Sequence, residues 1–122
     1  MKLLLIDDDA FLRDMYAIKF AENGHEVQAA DSAMNALNII EAQPDFDVIL
    51  FDMIMPAMSG IELMKEIDRQ FPDLNAKHIV LSNHGQADDM EDAKKAGAVG
   101  YIIKAEAVPS DVVKKVEDIA KN

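Results

Sequence analysis

The sequence predicts a doubly wound α/β unit, a five-stranded parallel sheet with helices on both faces. Short apolar runs of strand length alternate with amphipathic stretches of helix length along the whole chain. The run Val48-Ile49-Leu50-Phe51 is continuous, too short for a helix and followed by Pro56, as suits a strand buried on both faces in mid-sheet. Right-handed crossovers then fold such a series into a parallel sheet covered on both sides.

Taken in order, Lys2 to Ile6 is the first strand, and the acidic run Asp7-Asp8-Asp9 follows where a helix should begin, with Asp9 as its N-cap. Phe11, Leu12, Met15, Ile18 and Phe20 fit one helical face, and Asn23-Gly24 supplies a left-handed stop. His25 to Ala29 reads as a second strand. Ser32 caps a second helix that turns Leu37 and Ile40 to the core and ends before Pro44. The central strand follows, with Asp52 at its carboxyl end. Ile61, Met64, Ile67 and Phe71 mark a third helix from Gly60, closed by Pro72. Lys77 to Ser82 is the fourth strand. Gln86 to Ala96 is a polar helix, acidic early and basic late in accord with the helix dipole, and Gly97 stops it. Val99 to Ile103 is the fifth strand, Lys104 stands at its end, and Ser110 starts a last helix carrying Val112, Val113, Val116 and Ile119.

Composition narrows the function classes. At 122 residues the chain is expected to be one domain, residues 1–122, large enough to bury a core without staples. It has no Cys, so disulfides and thiolate metal sites are excluded. No apolar run approaches the roughly 20 residues of a membrane span, and a soluble, cytoplasmic protein is expected. With 12 basic and 23 acidic residues the formal charge is -11, which repels nucleic acid and anionic lipid and favours cations or basic partner surfaces. The eight Met residues read as adaptable packing, and His25, His78 and His84 are too scattered for a metal site.

The chemistry lies at the strand ends. Asp7, Asp8, Asp52, Ser82 and Lys104 all follow or end strands, so the topology gathers them at one edge of the sheet, where open α/β sheets bind ligands. An acidic run before a helix is ordinarily capping, and a lone strand-end Ser or Lys has no special meaning; their joint placement carries the signal. Crowded carboxylates repel unless a cation intervenes, and hard oxygen ligands of this kind suit Mg²⁺ (or Mn²⁺). A hydroxyl and an ammonium opposite them supply what the remaining oxygens of a phosphoryl group need.

The pieces Leu3-Leu4-Leu5-Ile6-Asp7-Asp8-Asp9, Phe51-Asp52-Met53-Ile54-Met55-Pro56 with Ser59-Gly60, Ile79-Val80-Leu81-Ser82, and Gly97 with Tyr101-Ile102-Ile103-Lys104 resemble the receiver domain of two-component response regulators, of the stand-alone chemotaxis-regulator type. The separations also match: 44 residues from Asp8 to Asp52, 30 from Asp52 to Ser82 and 52 from Asp52 to Lys104. The resemblance implies a flavodoxin-like (βα)5 fold and a phosphoacceptor signalling domain, not an enzyme in its own right. It implies that Asp52 takes a phosphoryl group from a sensor histidine kinase or phosphotransfer protein. The metal would touch Asp8, Asp52 and the Ile54 carbonyl, with Asp7 acting mostly through water, and Ser82 and Lys104 would hold the phosphoryl oxygens. Tyr101 matches the aromatic switch position, which with Ser82 relays the signal to a surface of the fourth helix, fifth strand and fifth helix. Output then passes to a separate effector protein, from a monomer or weak dimer, without direct contact to nucleic acid or membrane.

Two departures from the family pattern stand out. Lys104 is followed by Ala105 where Pro is usual, and Ser82 by Asn83 where a very small residue is usual; Asn83 is expected to crowd the phosphoryl pocket. Ile54 and His84 occupy the variable flanking positions, and an apolar Ile54 gives poor support to an attacking water, so slow loss of the phosphoryl group is expected. The other classes weighed are a small Mg²⁺-dependent phosphohydrolase, a receiver-fold scaffold that no longer switches, and a flavin binder; the acidic run after the first strand argues against the last.

Overall fold

Strand β1 (Lys2–Ile6) divides its side chains between two cores: Leu3 and Leu5 enter one, Leu4 and Ile6 the other. That period-two alternation with both faces apolar requires helices above and below the sheet. The computed structural model, which describes residues 1–121, supplies them. After β1 come α1 (Ala10–Glu22), β2 (Glu26–Ala30), α2 (Ala33–Ala42), β3 (Val48–Phe51), α3 (Gly60–Gln70), β4 (Lys77–Ser82), α4 (Ala87–Lys95), β5 (Ala98–Ile103) and α5 (Pro109–Lys121), with a 3-10 turn over Lys104–Glu106 before α5. The strand order is β2-β1-β3-β4-β5, and every pairing is parallel. Order reverses between β1 and β3, which sends α1 and α5 to one face and α2, α3 and α4 to the other.

On the α1/α5 face, Leu3, Leu5, Phe20, Leu50, Ile79, Val112 and Val116 are buried together; on the other, Leu4, Ile6, Ile40, Ile49, Phe51, Leu63, Met64, Ile67 and Val80. Each such side chain contributes about 1.5–3 kcal/mol on leaving water, so neither face is dispensable. The helix ends are held by the expected polar groups. Asp9 accepts from the Leu12 N–H at 3.0 Å and Ser32 from the Asn35 N–H at 3.1 Å. Ser59 and Glu62 form a reciprocal capping box at the start of α3. Gly24 (φ 86°) and Gly97 (φ 111°) take the left-handed backbone that stops α1 and α4.

The structure corrects several local expectations. Phe11 and Ile18 are 75% and 62% exposed, whereas Leu12, Met15 and Phe20 turn to the core as expected and are joined there by the buried Tyr16. The helix carries two apolar stripes; Phe11 and Ile18, seven residues apart, share the outer one, and Tyr16 belongs to the inner one. Strand β2 runs one residue later than expected, because its pairing with β1 starts at Lys2↔Glu26. The His25 side chain is used elsewhere, its Nε2 lying 2.7 Å from Glu117 and its Nδ1 3.1 Å from the Met1 amine. Helix α5 begins at Pro109, not Ser110, and the Val108 carbonyl accepts the Val112 N–H; Pro suits a first helical position because its missing N–H is not needed there. Among the described residues no helix is long and apolar enough to cross a membrane.

His78 is buried in β4 against the Phe51 ring. Burial pushes its pKa below the usual histidine value, opposed only in part by Asp68. The unfolded chain therefore binds this proton more readily than the folded one, and stability is lost as pH falls through and below about 6.5. His78→Phe should flatten the dependence of the urea midpoint on pH between about pH 7 and pH 5. An unchanged slope in that window would rule out His78 as its source.

Candidate functional site

The register of the sheet builds the site. Strands β1 and β3 end level at Ile6↔Phe51, so Asp7 and Asp52 leave adjacent strands side by side. The Asp52 N–H donates to the Ile6 carbonyl at 3.2 Å and the Asp7 N–H to Ala30 at 3.2 Å, which extends both ladders one step beyond the strands. Strands β4 and β5 end level at Ser82↔Ile103, and Lys104 follows. Four strand ends thus deliver two carboxylates, a hydroxyl and an ammonium to one edge.

All four groups are buried, and their polar atoms meet. The Ser82 hydroxyl donates to Asp52 Oδ1 at 2.9 Å. The Lys104 ammonium donates to Asp7 Oδ2 at 2.6 Å and to Asp52 Oδ2 at 3.3 Å. Burial alone would lower the Lys104 pKa, but Asp7 and Asp52 more than offset it and hold the ammonium above the usual lysine range. Asp7 Oδ1 accepts the Asp9 N–H at 2.9 Å, so both Asp7 oxygens are engaged by protein. Asp8 is exposed, and oxygens of Asp7, Asp8 and Asp52 all lie within 4.8 Å of one another. A cleft of about 370 Å³ opens over them, lined also by Ile54, Asn83, His84 and Lys104. Ile54 is 58% exposed at its rim.

The loops around this edge are tightly specified. A Cβ on Gly60 would stand 2.2 Å from the Asp52 backbone oxygen, so only glycine lets α3 start this close to the Asp52 loop. Its N–H donates to the Met53 carbonyl at 3.0 Å. Ala57 has φ 71° and centres a three-residue turn closed by the Met58 N–H on the Pro56 carbonyl at 2.8 Å, a strained conformation for a residue with a Cβ. The Tyr101 hydroxyl donates to the His84 carbonyl. Burial first, then Asp89 and Asp52, push its pKa up to about 12, so it stays protonated as that donor.

In this structure the Ser82 hydroxyl bonds to Asp52, and Tyr101 is tied to the loop that Ser82 begins. A buried hydroxyl needs partners, and Ser82 donates to Asp52 and accepts the His84 N–H at 3.3 Å. Asn83 was expected to crowd the pocket. It lines the cleft, and its Oδ1 accepts the Ala105 N–H at 2.9 Å, across a Lys104–Ala105 peptide that is trans. Three features escaped the sequence reading. Arg13 donates to the Asp7 carbonyl at 3.0 Å and steadies the acidic loop; its place four residues past the Asp9 cap was the available signal. The left-handed Ala57 and the Asn83 contact had no signal, because alanine carries none.

A doubly wound sheet whose switch-point edge holds a carboxylate between a hydroxyl and an ammonium, with two more carboxylates alongside, has the architecture of an α/β ligand-binding module with an acidic pocket. This chain belongs to the response regulator receiver domain family, whose profile matches residues 3–117. It is 37% identical over 122 residues to the chemotaxis protein CheY of Thermotoga maritima, covering 98% of both chains. It is 35% identical to the CheY of Halobacterium salinarum over 97% of this chain and 95% of that one. Among solved structures it resembles Vibrio cholerae CheY4 with a TM-score of 0.88 at 27% identity, covering 97% of each. Phosphorylation-dependent signalling is the general function of the family, and its members bind Mg²⁺ at an acidic pocket and work with histidine kinases or phosphotransfer proteins.

Relief of the turn at Ala57 gives a direct check on the loop. Ala57→Gly should stabilise the protein by about 1 kcal/mol, because φ near +70° costs glycine little. A rise of about 4 °C in melting temperature is the expected reading. A fall instead would mean that the gain in unfolded-chain entropy outweighs the relief.

Proposed function

We propose that Asp52 is the phosphoryl acceptor of this receiver domain. The observation that carries the reading is that Asp52 alone receives both the Ser82 hydroxyl and the Lys104 ammonium, on different oxygens, inside the acidic cluster. The carboxylate attacks the phosphorus of a phosphohistidine, the P–N bond breaks as the O–P bond forms, and the imidazole leaves with the electron pair and is protonated by solvent. Ser82 and Lys104 swing from the Asp52 carboxylate to the arriving phosphoryl oxygens. Little covalent chemistry is asked of the protein beyond position and charge.

The donor set fits a hard divalent cation: three carboxylates in close range, one of them open to solvent. Asp8, Asp52 and the Ile54 carbonyl would hold Mg²⁺ (or Mn²⁺), with Asp7, already engaged by Lys104 and the Asp9 N–H, acting through water. When bound, the ion neutralises charge on the acceptor and on the phosphoryl oxygens. The partners are a sensor histidine kinase or phosphotransfer protein upstream and a separate effector downstream, in the cytoplasm. The output face is α4, β5 and α5, where Met90 and Val99 are exposed near Tyr101.

With Mg²⁺ and a small phosphodonor such as acetyl phosphate, intact-mass analysis should record one added phosphoryl group, and Asp52→Asn should abolish it while leaving the fold intact. Equal phosphorylation of the variant would show that Asp52 is not the acceptor. Mg²⁺ at ten times its dissociation constant should add about 1.4 kcal/mol of stability to the wild type. The shift should shrink in Asp52→Asn, and equal melting temperatures in Mg²⁺ and in chelator would count against the metal. Beryllium fluoride, a mimic of the phosphoryl group, should change amide exchange from Gln86 to Ile103 as the Tyr101 tie and α4 reset. Changes confined to the loops at the cleft would favour a receiver-fold scaffold that does not switch.

A further inference from the structure

The turn that carries Lys104 has a donor that needs a partner. A proline at position 105 would bring no N–H; Ala105 brings one, at the foot of the buried ion-pair cluster. The Asn83 side chain meets it, Oδ1 to N at 2.9 Å, from a residue 22 positions earlier on a different loop. The backbone ladder of β4 and β5 stops at Ser82↔Ile103. The Asn83–Ala105 bond therefore joins the two loops one step past the end of the sheet, between the residue that follows Ser82 and the residue that follows Lys104.

We propose that Asn83 is a positioning residue for phosphoryl transfer: by accepting the Ala105 N–H it holds the trans Lys104–Ala105 turn so that the ammonium stays on Asp7 and Asp52, and it yokes that turn to the Ser82 loop. The two groups that meet the phosphoryl oxygens are then carried by loops that move as one. On the other side of the same loop, Tyr101 bonds the His84 carbonyl and the His84 N–H donates to Ser82 Oγ at 3.3 Å. Residues 82 to 84 are consequently tied to β5 and to the turn after it by side-chain bonds on either side of Asn83. A long lysine side chain left to itself samples many rotamers, and freezing it beforehand removes that entropy from the transfer step. The role deepens the reading of Asp52 as acceptor and rests on it for its catalytic consequence; its structural part does not.

The test uses the full chain with ¹⁵N labelling, in Asn83→Ala and in Asn83→Asp, which keeps an acceptor oxygen at the same place. Two signals are followed before any phosphodonor is added: exchange of the Ala105 amide and the resonance of the buried Lys104 ammonium. Asn83→Ala should expose the Ala105 amide and broaden or shift the Lys104 signal, with the Ile102 amide in β5 unchanged; Asn83→Asp should restore both. With acetyl phosphate and Mg²⁺, the limiting rate of Asp52 phosphorylation in Asn83→Ala should fall about tenfold, with a much smaller change in the half-saturating donor concentration. An exposed Ala105 amide with an unmoved Lys104 signal would overturn the proposal, reducing the contact to a local turn bond. So would an unchanged limiting rate in Asn83→Ala. A wild-type chain that gains no phosphoryl mass at all would instead overturn the acceptor reading and with it the catalytic part of this proposal, while the two resonances still decide whether Asn83 positions Lys104.

Discussion

The ammonium of Lys104 between Asp7 and Asp52 is the interaction on which the rest of this edge depends. Asp7 and Asp52 leave neighbouring strands at the same level because β1 and β3 pair in register, and two buried carboxylates so placed repel each other. At an effective dielectric of about 20 and the 4.8 Å limit within which their oxygens lie, that repulsion is about 3 kcal/mol, a sizeable share of a domain's stability. One cation shared by both removes most of it. Two carboxylates against one ammonium are already net negative, and a third, Asp8, adds to the imbalance, so the edge remains a place where a further cation is favoured. The charge imbalance is thus resident in the fold, set by where the strands end.

What the sequence disclosed follows from how each feature is encoded. Strands buried on both faces read as unbroken apolar runs, so β4 is found at Lys77–Ser82 as expected, and β1 likewise at Lys2–Ile6. Side chains at strand ends are legible because a parallel sheet brings all its carboxyl ends to one edge whatever the loop details. The gathering of Asp7, Asp8, Asp52, Ser82 and Lys104 is therefore written in the sequence itself. The inward face of α1 was legible only in part: Leu12, Met15 and Phe20 turn inward as expected, Phe11 and Ile18 do not. Phe11 and Ile18 are as apolar as the buried Phe20, and only the direction from which the helix meets the sheet separates them.

Backbone features were the least accessible. Nothing in the letter Ala announces that residue 57 has φ 71° or that residue 105 offers its N–H to a side chain. Asn83 reads from sequence as an intruder beside the cleft, because its bulk is visible and its partner is not. In the structure the two departures from the family pattern, at 83 and at 105, are one feature: an acceptor and the donor it answers.

The His25 tie to the Met1 amine and the Lys77 bond to the Ala120 carbonyl, at 2.8 Å, bring Met1 and the last turn of α5 to the edge where the strands begin. The acidic cleft lies at the edge where they finish. A dye or other label attached at Met1 or beside Ala120 would therefore stand a sheet's length from the cleft. Forms labelled there keep the acidic cleft turned toward solution.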